Sequence, residues 1–538
     1  MKRSIQNTIS LLMVSCALAF AQDISKAKVG SQKDGTYVVP THQIIRPAGL
    51  QIALPGRPND LALSADEKWL AVKNWKSLDL IRIRDRVVLQ SLPYPKSGAA
   101  VTGIAWSPDG KKIYVSEAQD RVRVAELDNN TVMRWGESIV MPKLDAEAIV
   151  QVRADVGETI SGDPAPGGLA LSKDGKRLYV TLSRYNVLAV VELPYGRVRT
   201  AAVGMAPYEV VLTEQKIYVS NWGGRRPQKG EVTANSSGSK VLVDPATGIA
   251  NSGSVSVLDA KSLNEIGTIQ VGLHPSGMAL SPDQSFLYVA CANSDVISVI
   301  DTRTDQVCET FKTRMQDDLP FGSSPNALAI SPDGSSLYVA NGTDNAICCI
   351  RLGLAAGGPA QQSRIQGYIP TGWYPGSVVL DSKGELLFVA NVKGYGSLNM
   401  LTDRNGHNSH DHLGSVSIIK VPDEKMLAEY TAQARENTLQ AKKQEQIGKV
   451  LHAARSAKAS ELKKVPVPTQ PGEISVFKHV LYIIKENRTY DQVFGDLKQG
   501  NGDTSLVMFG REVTPNHHAL VETFVLLEIG RASCRERV

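Results

Sequence analysis

The sequence predicts a mainly β protein. A seven-bladed β-propeller over residues 37–421 leads into a helical linker over 423–471 and the N-terminal fragment of an α/β domain over 479–527. Three observations carry this. A pair of apolar strands around a Ser-x-Asp-Gly turn recurs seven times. Those strands alternate apolar and polar residues with a period of two. After Pro422 the texture changes, first to a helix-forming stretch and then to a continuous apolar run.

Composition bounds the answer. A chain of 538 residues has room for two or three domains. It is 42% hydrophobic, 21% charged and 6% aromatic, which excludes wholesale disorder and a multi-span membrane protein. Gly 45 and Pro 27 occur without a triplet period, so they mark turns rather than collagen. A net charge of +5 gives no reason to expect a nucleic-acid partner.

The first 21 residues read as a secretory signal. Lys2 and Arg3 precede an apolar stretch from Ile9 to Phe20, and Ala19-Phe20-Ala21 offers a small-x-small cleavage pattern before Gln22. The stretch is short for a transmembrane span. Acylation at Cys16 is the alternative, with a poor residue three positions before it. The expected location is periplasmic or secreted.

The repeat is visible in its turns. The aligned positions are Ser64, Ser107, Ser172, Thr213, Ser281, Ser331 and Asp381, with spacings of 43, 65, 41, 68, 50 and 50 residues. Each is followed by a strand ending near Tyr-Val, as in Leu178-Tyr179-Val180 and Leu337-Tyr338-Val339. A third strand comes next, such as Val296-Ile297-Ser298-Val299-Ile300-Asp301. A period of 40 to 50 residues with about four strands per unit is the pattern of a propeller blade. The last unit lacks a fourth strand, and the stretch from Tyr37 to Leu54 is placed to supply it and close the ring.

Two insertions interrupt the repeats. Asn221 to Gly253 reads either as a long surface loop or as a flap over the propeller mouth or the next domain. Asp403 to His412 carries His407, His410, Asp411 and His412, either a weak divalent-metal cluster or a solvated turn. Of six cysteines, Cys16 leaves with the signal. Cys291, Cys308, Cys348 and Cys349 read as buried small side chains, with one disulfide as the alternative. Cys348 and Cys349 should face opposite sides of a strand.

From Asp423 to Lys464 the chain has no proline and is rich in Ala, Glu, Lys and Gln, which predicts one or two amphipathic helices. Val465 to Pro471 is extended. His479-Val480-Leu481-Tyr482-Ile483-Ile484 then has the continuous apolar character of a strand buried on both faces of a parallel sheet. Polar groups at the end of such a strand are placed for a site. Glu486 and Asn487 offer a carboxylate and an amide oxygen to a divalent metal, and Glu486 serves equally well as a helix cap.

The repeats resemble YVTN-type, YncE-like β-propellers, with Tyr338-Val339-Ala340-Asn341 as the clearest copy. The run from Tyr482 through Lys485-Glu486-Asn487-Arg488-Thr489-Tyr490-Asp491 to Asp496, with Val513-Thr514-Pro515-Asn516-His517-His518-Ala519-Leu520, resembles the start of the phosphoesterase family of the alkaline phosphatase superfamily. That resemblance implies an α/β alkaline-phosphatase-like domain and metal-dependent hydrolysis of a phosphate ester or phospholipid. It also implies Glu486 and Asn487 as metal ligands, with the nucleophile and other ligands further along. His517 and His518 fall in the matching motif without an assigned role.

The matching stretch is too short for the whole domain. From Glu528 to Val538 the sequence looks like translated sequencing adapter, so the chain is expected to be truncated and inactive as it stands. Ile483, Ile484, Phe494 and Phe524 to Leu527 would then lack packing partners. The rival reading is an envelope ligand-binding or scaffolding propeller. A quinone or haem dehydrogenase is disfavoured by the lack of a Cys-x-x-Cys-His motif.

Overall fold

The computed structural model describes residues 30–41, 43–95, 98–128, 132–143, 162–194, 196–236, 239–316, 322–353, 362–396, 412–438, 464–466, 475–481, 483, 485, 488–499, 502 and 504–526. The chain divides into two compact units. One is residues 45–480; the other is residues 1–44 with 481–538.

The larger unit is a β-propeller. Its first sheet runs Asp60–Leu63, Trp69–Lys73, Ser77–Arg82 and Val87–Pro93 in antiparallel order. The second is Ala99–Trp106, Lys112–Glu117, Arg121–Leu127 and Met133–Trp135, with Ile139–Val140 also on the third strand. The third is Pro166–Leu171, Arg177–Leu182, Val187–Glu192 and Val198–Ala202. The fourth is Pro207–Leu212, Lys216–Asn221, Gly253–Asp259 and Glu265–Val271. The fifth is Pro275–Leu280, Phe286–Cys291, Val296–Asp301 and Gln306–Lys312. The sixth is Pro325–Ile330, Ser336–Asn341, Ala346–Arg351 and Arg364–Pro370. The seventh is Trp373–Leu380, Leu386–Gly394 and Leu413–Lys420, completed by the N-terminal strand Leu50–Pro55. In that pairing Gly414 faces Leu54 and Val416 faces Ile52.

The repeat motif works as a local turn device. Ser107 Oγ donates to Asp109 Oδ1 at 2.5 Å and accepts the Lys112 N–H at 2.9 Å, while Asp109 accepts the Lys111 N–H. The same three bonds recur around Ser64, Ser172, Ser281 and Ser331. These side chains satisfy the backbone that the tight turn would otherwise leave bare.

The apolar faces pack between consecutive sheets. Val122 and Val124 meet Val180 and Val187 between the second and third. Leu54, Val72, Phe388 and Val416 form the cluster between the seventh and first. Each buried Val or Leu contributes about 1.5–3 kcal/mol over its exposed state. Cys348 and Cys349 belong to two different clusters, one on each face of their strand. Both are free, as are buried Cys291 and exposed Cys308, so none of these four forms a disulfide.

A second device fastens neighbouring sheets. The turn between the second and third strands ends on a left-handed Asn or Asp, at Asn186, Asp295 and Asn345. Its side-chain oxygen accepts a backbone N–H at the entry to the next sheet: Ala206 and Ser324 just before it, and Tyr374 as the second residue of its first strand. In such meanders the second-to-third and fourth-to-first connections share one end of the propeller. The first insertion predicted from sequence, Asn221 to Gly253, is a second-to-third connection and lies at that end. The first contains a hairpin of Thr233–Ser236 and Ser239–Leu242 with a small core of Met205, Val241 and Val243. Arg226 ties it down by donating to the Val203 and Asn186 carbonyls, at 2.7 Å each. The loop 397–411 lies outside the described residues.

Helix α1, Glu424–Asn437, starts as predicted, with Asp423 as its N-cap accepting the Met426 N–H. It packs on Arg364–Pro370. Gly367 allows that approach, because a Cβ there would strike Thr431 Oγ1 and Leu427. Residues 439–463 and 467–471 of the predicted linker 423–471 lie outside the described residues.

The run 479–484 departs from expectation. His479, Val480, Leu481 and Ile483 are irregular rather than β, and Val480, Leu481 and Ile483 are 86%, 86% and 68% exposed. A parallel strand needs flanking strands for its backbone hydrogen bonds. Among the described residues none pairs with it. In the smaller unit, helix α2, Tyr490–Phe494, carries a Thr489–Gln492 capping box, and helix α3, Pro515–Thr523, begins at a proline. Phe524 and Val525 are exposed.

Candidate functional site

Glu486 and Asn487, predicted as metal ligands, lie outside the described residues, as do His407 and His410. His412 is fully buried, and Arg57 Nε donates to its Nδ1 at 3.4 Å. Among the described residues no three His, Cys, Asp or Glu side chains gather as a metal cage.

The sequence blocks 482–496 and 513–520 do meet. His518 is completely buried, with Nε2 2.7 Å from Asp496 Oδ1 and Nδ1 2.9 Å from the Thr514 carbonyl. The Phe494 ring meets the imidazole edge-on at 5.3 Å. Lys485 Nζ lies 2.7 Å from His517 Nε2. Burial works to raise the Asp496 carboxyl, but hydrogen bonds from His518 and from the Arg511 N–H outweigh it and hold it below its ordinary range. His518 is therefore a clamp between α3 and the segment after α2. His518→Ala should loosen residues 488–526 and leave the propeller intact. Limited proteolysis reads this as faster cleavage near α2 and α3 with an unchanged propeller fragment; equal cleavage rates would reject the clamp.

A second group of polar residues lies where the first strands converge. Aligning the sheets by strand register places Asp60, Gly103, Gly168, Glu209, Gly277, Ala327 and Ser377 at one inner-ring position. The matching positions on the second strands are Lys73, Ser116, Thr181, Ser220, Ala290, Ala340 and Ala390, directly paired in the first, sixth and seventh sheets and at a register shift in the others. Small residues dominate both rings, and the exceptions are Asp60, Glu209 and Lys73.

Asp60 is saturated. Oδ1 accepts the Leu61 N–H and the Ser377 hydroxyl, each at 2.9 Å. Oδ2 accepts the Thr102 hydroxyl at 3.1 Å and the Gly103 N–H at 2.8 Å. One carboxylate thus joins the first sheet to the second and the seventh. Lys73 is wholly buried, and Nζ donates to the Thr102 and Gly103 carbonyls and to Ser116 Oγ. It is a long version of a tie used elsewhere: Thr181 donates to the Tyr208 carbonyl, and Ser220 to the Ser276 carbonyl, at 3.2 and 2.7 Å.

Glu209 differs. Its carboxyl has the adjacent Val210 N–H as donor and, among the described residues, no ion pair. Burial, with Asp60 nearby, pushes it up to about 8, against the Val210 N–H and Lys73. Burial lowers Lys73 to about 7, while Asp60 and Glu209 act to raise it. Tyr208 belongs to the fourth sheet; burial raises its phenol well above its ordinary value, with Glu209, Asp60 of the first sheet and Tyr374 of the seventh acting in the same direction. Its ring stacks on Trp222 at 4.4 Å, and Trp222 stacks on His274 at 4.2 Å.

The sign of the pH effect follows. A carboxyl whose folded pKa is raised favours folding while protonated, and that advantage is lost as pH rises through the folded value. Glu209→Gln should therefore gain stability relative to the wild type as pH rises from about 5 to about 8. Thermal unfolding across that range checks it; a constant difference would show that Glu209 does not titrate in the fold.

Sequence reasoning missed this group. The signal was a break in the repeat: the first copy reads Val72-Lys73-Asn74 where the sixth reads Val339-Ala340-Asn341.

No protein-family model matches the chain, and no curated protein matches it in sequence. Solved structures similar in shape include hydrazine synthase from Kuenenia stuttgartiensis, at 18% identity, covering 68% of this chain and 96% of that one, TM-score 0.47. A catalytically inactive virginiamycin B lyase from Staphylococcus aureus, solved with quinupristin, shares 14% identity over 69% and 99% of the two chains, TM-score 0.44. U3-55K shares 13% identity over 70% and 100%, TM-score 0.49. The strand order and the packing between sheets carry the fold assignment for this chain.

Proposed function

We propose that this chain is an exported, metal-dependent phosphoesterase in which a seven-bladed YncE-like propeller precedes an α/β catalytic domain of the alkaline phosphatase superfamily. The long motif from Tyr482 to Asp496, followed by Val513 to Leu520, supports the reading. The observation that carries it furthest is the contact between the two motif blocks, through Asp496–His518 and Lys485–His517. Adjacent carboxylate and amide oxygens at Glu486 and Asn487 are the right donor types for a hard divalent ion. When bound, such an ion would neutralise phosphoryl oxygens and favour attack by a hydroxyl. His518 and Asp496 would hold α3 and the motif loop in register, leaving Lys485 and His517 near the surface.

The test assays the full-length protein with a divalent metal and an aryl phosphate. Glu486→Ala is expected to lose hydrolysis while the propeller stays folded. Near-normal turnover of that variant rejects the assignment. A second reading, an envelope ligand-binding propeller, draws on the departure of Asp60, Glu209 and Lys73 from the small residues that otherwise fill the inner ring. Hydrolysis that survives removal of the propeller favours the first reading; ligand binding by the propeller favours the second.

A further inference from the structure

We propose that the cavity between the third and fourth sheets binds the carboxylate of a small organic acid with an apolar body. This stands independently of the phosphoesterase reading. The next junction along the chain shows what such a place holds. There Lys216 and Tyr218, two apart on the second strand of the fourth sheet, share a face. Lys216 Nζ donates to Asp305 Oδ2 at 2.7 Å, and the Tyr218 hydroxyl donates to Asp305 Oδ1 at 2.8 Å. Asp305 is the left-handed residue in the turn between the third and fourth strands of the fifth sheet. A cation and a phenol of one sheet thus claim both oxygens of a carboxylate on the next.

One junction earlier the donors remain and the carboxylate is gone. Arg177 pairs with Glu192 and Tyr179 with Val190, the register in which Lys216 pairs with Asp259 and Tyr218 with Val257. The residue matching Asp305 is Leu263, also left-handed and at the same distance after the strand end at Asp259 as Asp305 is after Asp301. Leu263 packs in one cluster with Tyr179 and offers no side-chain acceptor. A cavity of about 910 Å³ opens at this junction, and Arg177 and Tyr179 line it. Among the described residues, no hydrogen bond or ion pair holds the Arg177 guanidinium or the Tyr179 hydroxyl.

The rest of the lining selects the ligand class. Leu171, Leu193, Leu212 and Ile217 give an apolar wall, and Lys173, Lys176 and Lys261 add positive charge. Of the acids present, Asp174 is taken up by the Ser172 hydroxyl and the Lys176 N–H, while Glu192 and Glu214 are exposed. A guanidinium and a phenol hydroxyl beside an apolar wall suit a carboxylate carried on a hydrocarbon body.

The experiment titrates the full chain with sodium hexanoate at constant ionic strength, following heat. 1-Hexanol serves as the uncharged counterpart and sodium sulfate as the competing anion. Saturable hexanoate binding is expected, with 1-hexanol roughly tenfold weaker or worse. Arg177→Met should weaken hexanoate by about the same factor without changing the response to 1-hexanol. Leu263→Asp puts the missing carboxylate back at a left-handed position that suits aspartate, and should remove hexanoate binding. Arg177 is exposed, so its variant keeps the proposal testable if Leu263→Asp fails to fold. No saturable binding at millimolar hexanoate, equal binding of 1-hexanol, displacement by equimolar sulfate, or unchanged affinity in Arg177→Met overturns it.

Discussion

Asp60→Ala is expected to destabilise the propeller by about 3–5 kcal/mol, the cost typical of breaking a buried charged hydrogen-bond network. The substitution strips acceptors from the Gly103 N–H and from the Thr102 and Ser377 hydroxyls together. It also removes the carboxylate that most favours the Lys73 charge, leaving that ammonium more costly to bury. The damage falls on three sheets, so the whole ring should feel it and not one edge. Asp60→Asn should lie between, since its amide can still accept on one side but turns a donor toward another donor. Thermal and denaturant unfolding measure both. A loss of less than about 1 kcal/mol in the Ala variant would show that solvent replaces these bonds at little cost.

The second large effect concerns closure. A chain beginning at Gly56 lacks Leu50–Pro55 and leaves the strand Leu413–Lys420 as an open edge. Val416 and Ile418 would lose the cover of Leu54 and Ile52 in the cluster shared with the first sheet. Such an edge is a template for another chain. The shortened protein should lose its single sharp unfolding transition and associate as its concentration rises. Light scattering and thermal unfolding test both points. A monomer that melts like the full chain would mean that this strand does not close the ring. Leu54→Ala is the milder counterpart, costing about 2–5 kcal/mol because Leu54 is almost wholly buried.

The features legible in advance were those made by short stretches of chain. The Ser-x-Asp-Gly turns announce themselves because Ser107, Asp109 and Lys112 bond within five residues of one another. The α1 start at Asp423 is equally local. The closing strand was legible by elimination, as the last unit lacked one. The strand expected at 479–484 does not form at its described residues, for a related reason. Apolar character shows that a segment wants burial, but only neighbouring strands can make it a strand.

The candidate sites divide the same way. Lys73 and Glu209 were present in the sequence as breaks in a repeat, but nothing local says that they approach one another. Asp60, Thr102, Tyr208 and Ser377 are as much as 317 positions apart along the chain, and ring closure alone brings them to one axis. His518 likewise carried a motif position but no role until Asp496 was found against it. The sequence by itself determined the repeat, its turns and the direction each strand faces, because periodicity and turn bonding are short-range. Only the tertiary structure decided which charges are saturated and which carboxyl is pushed up by burial. That depends on what lies across the axis, and distance along the chain does not encode it.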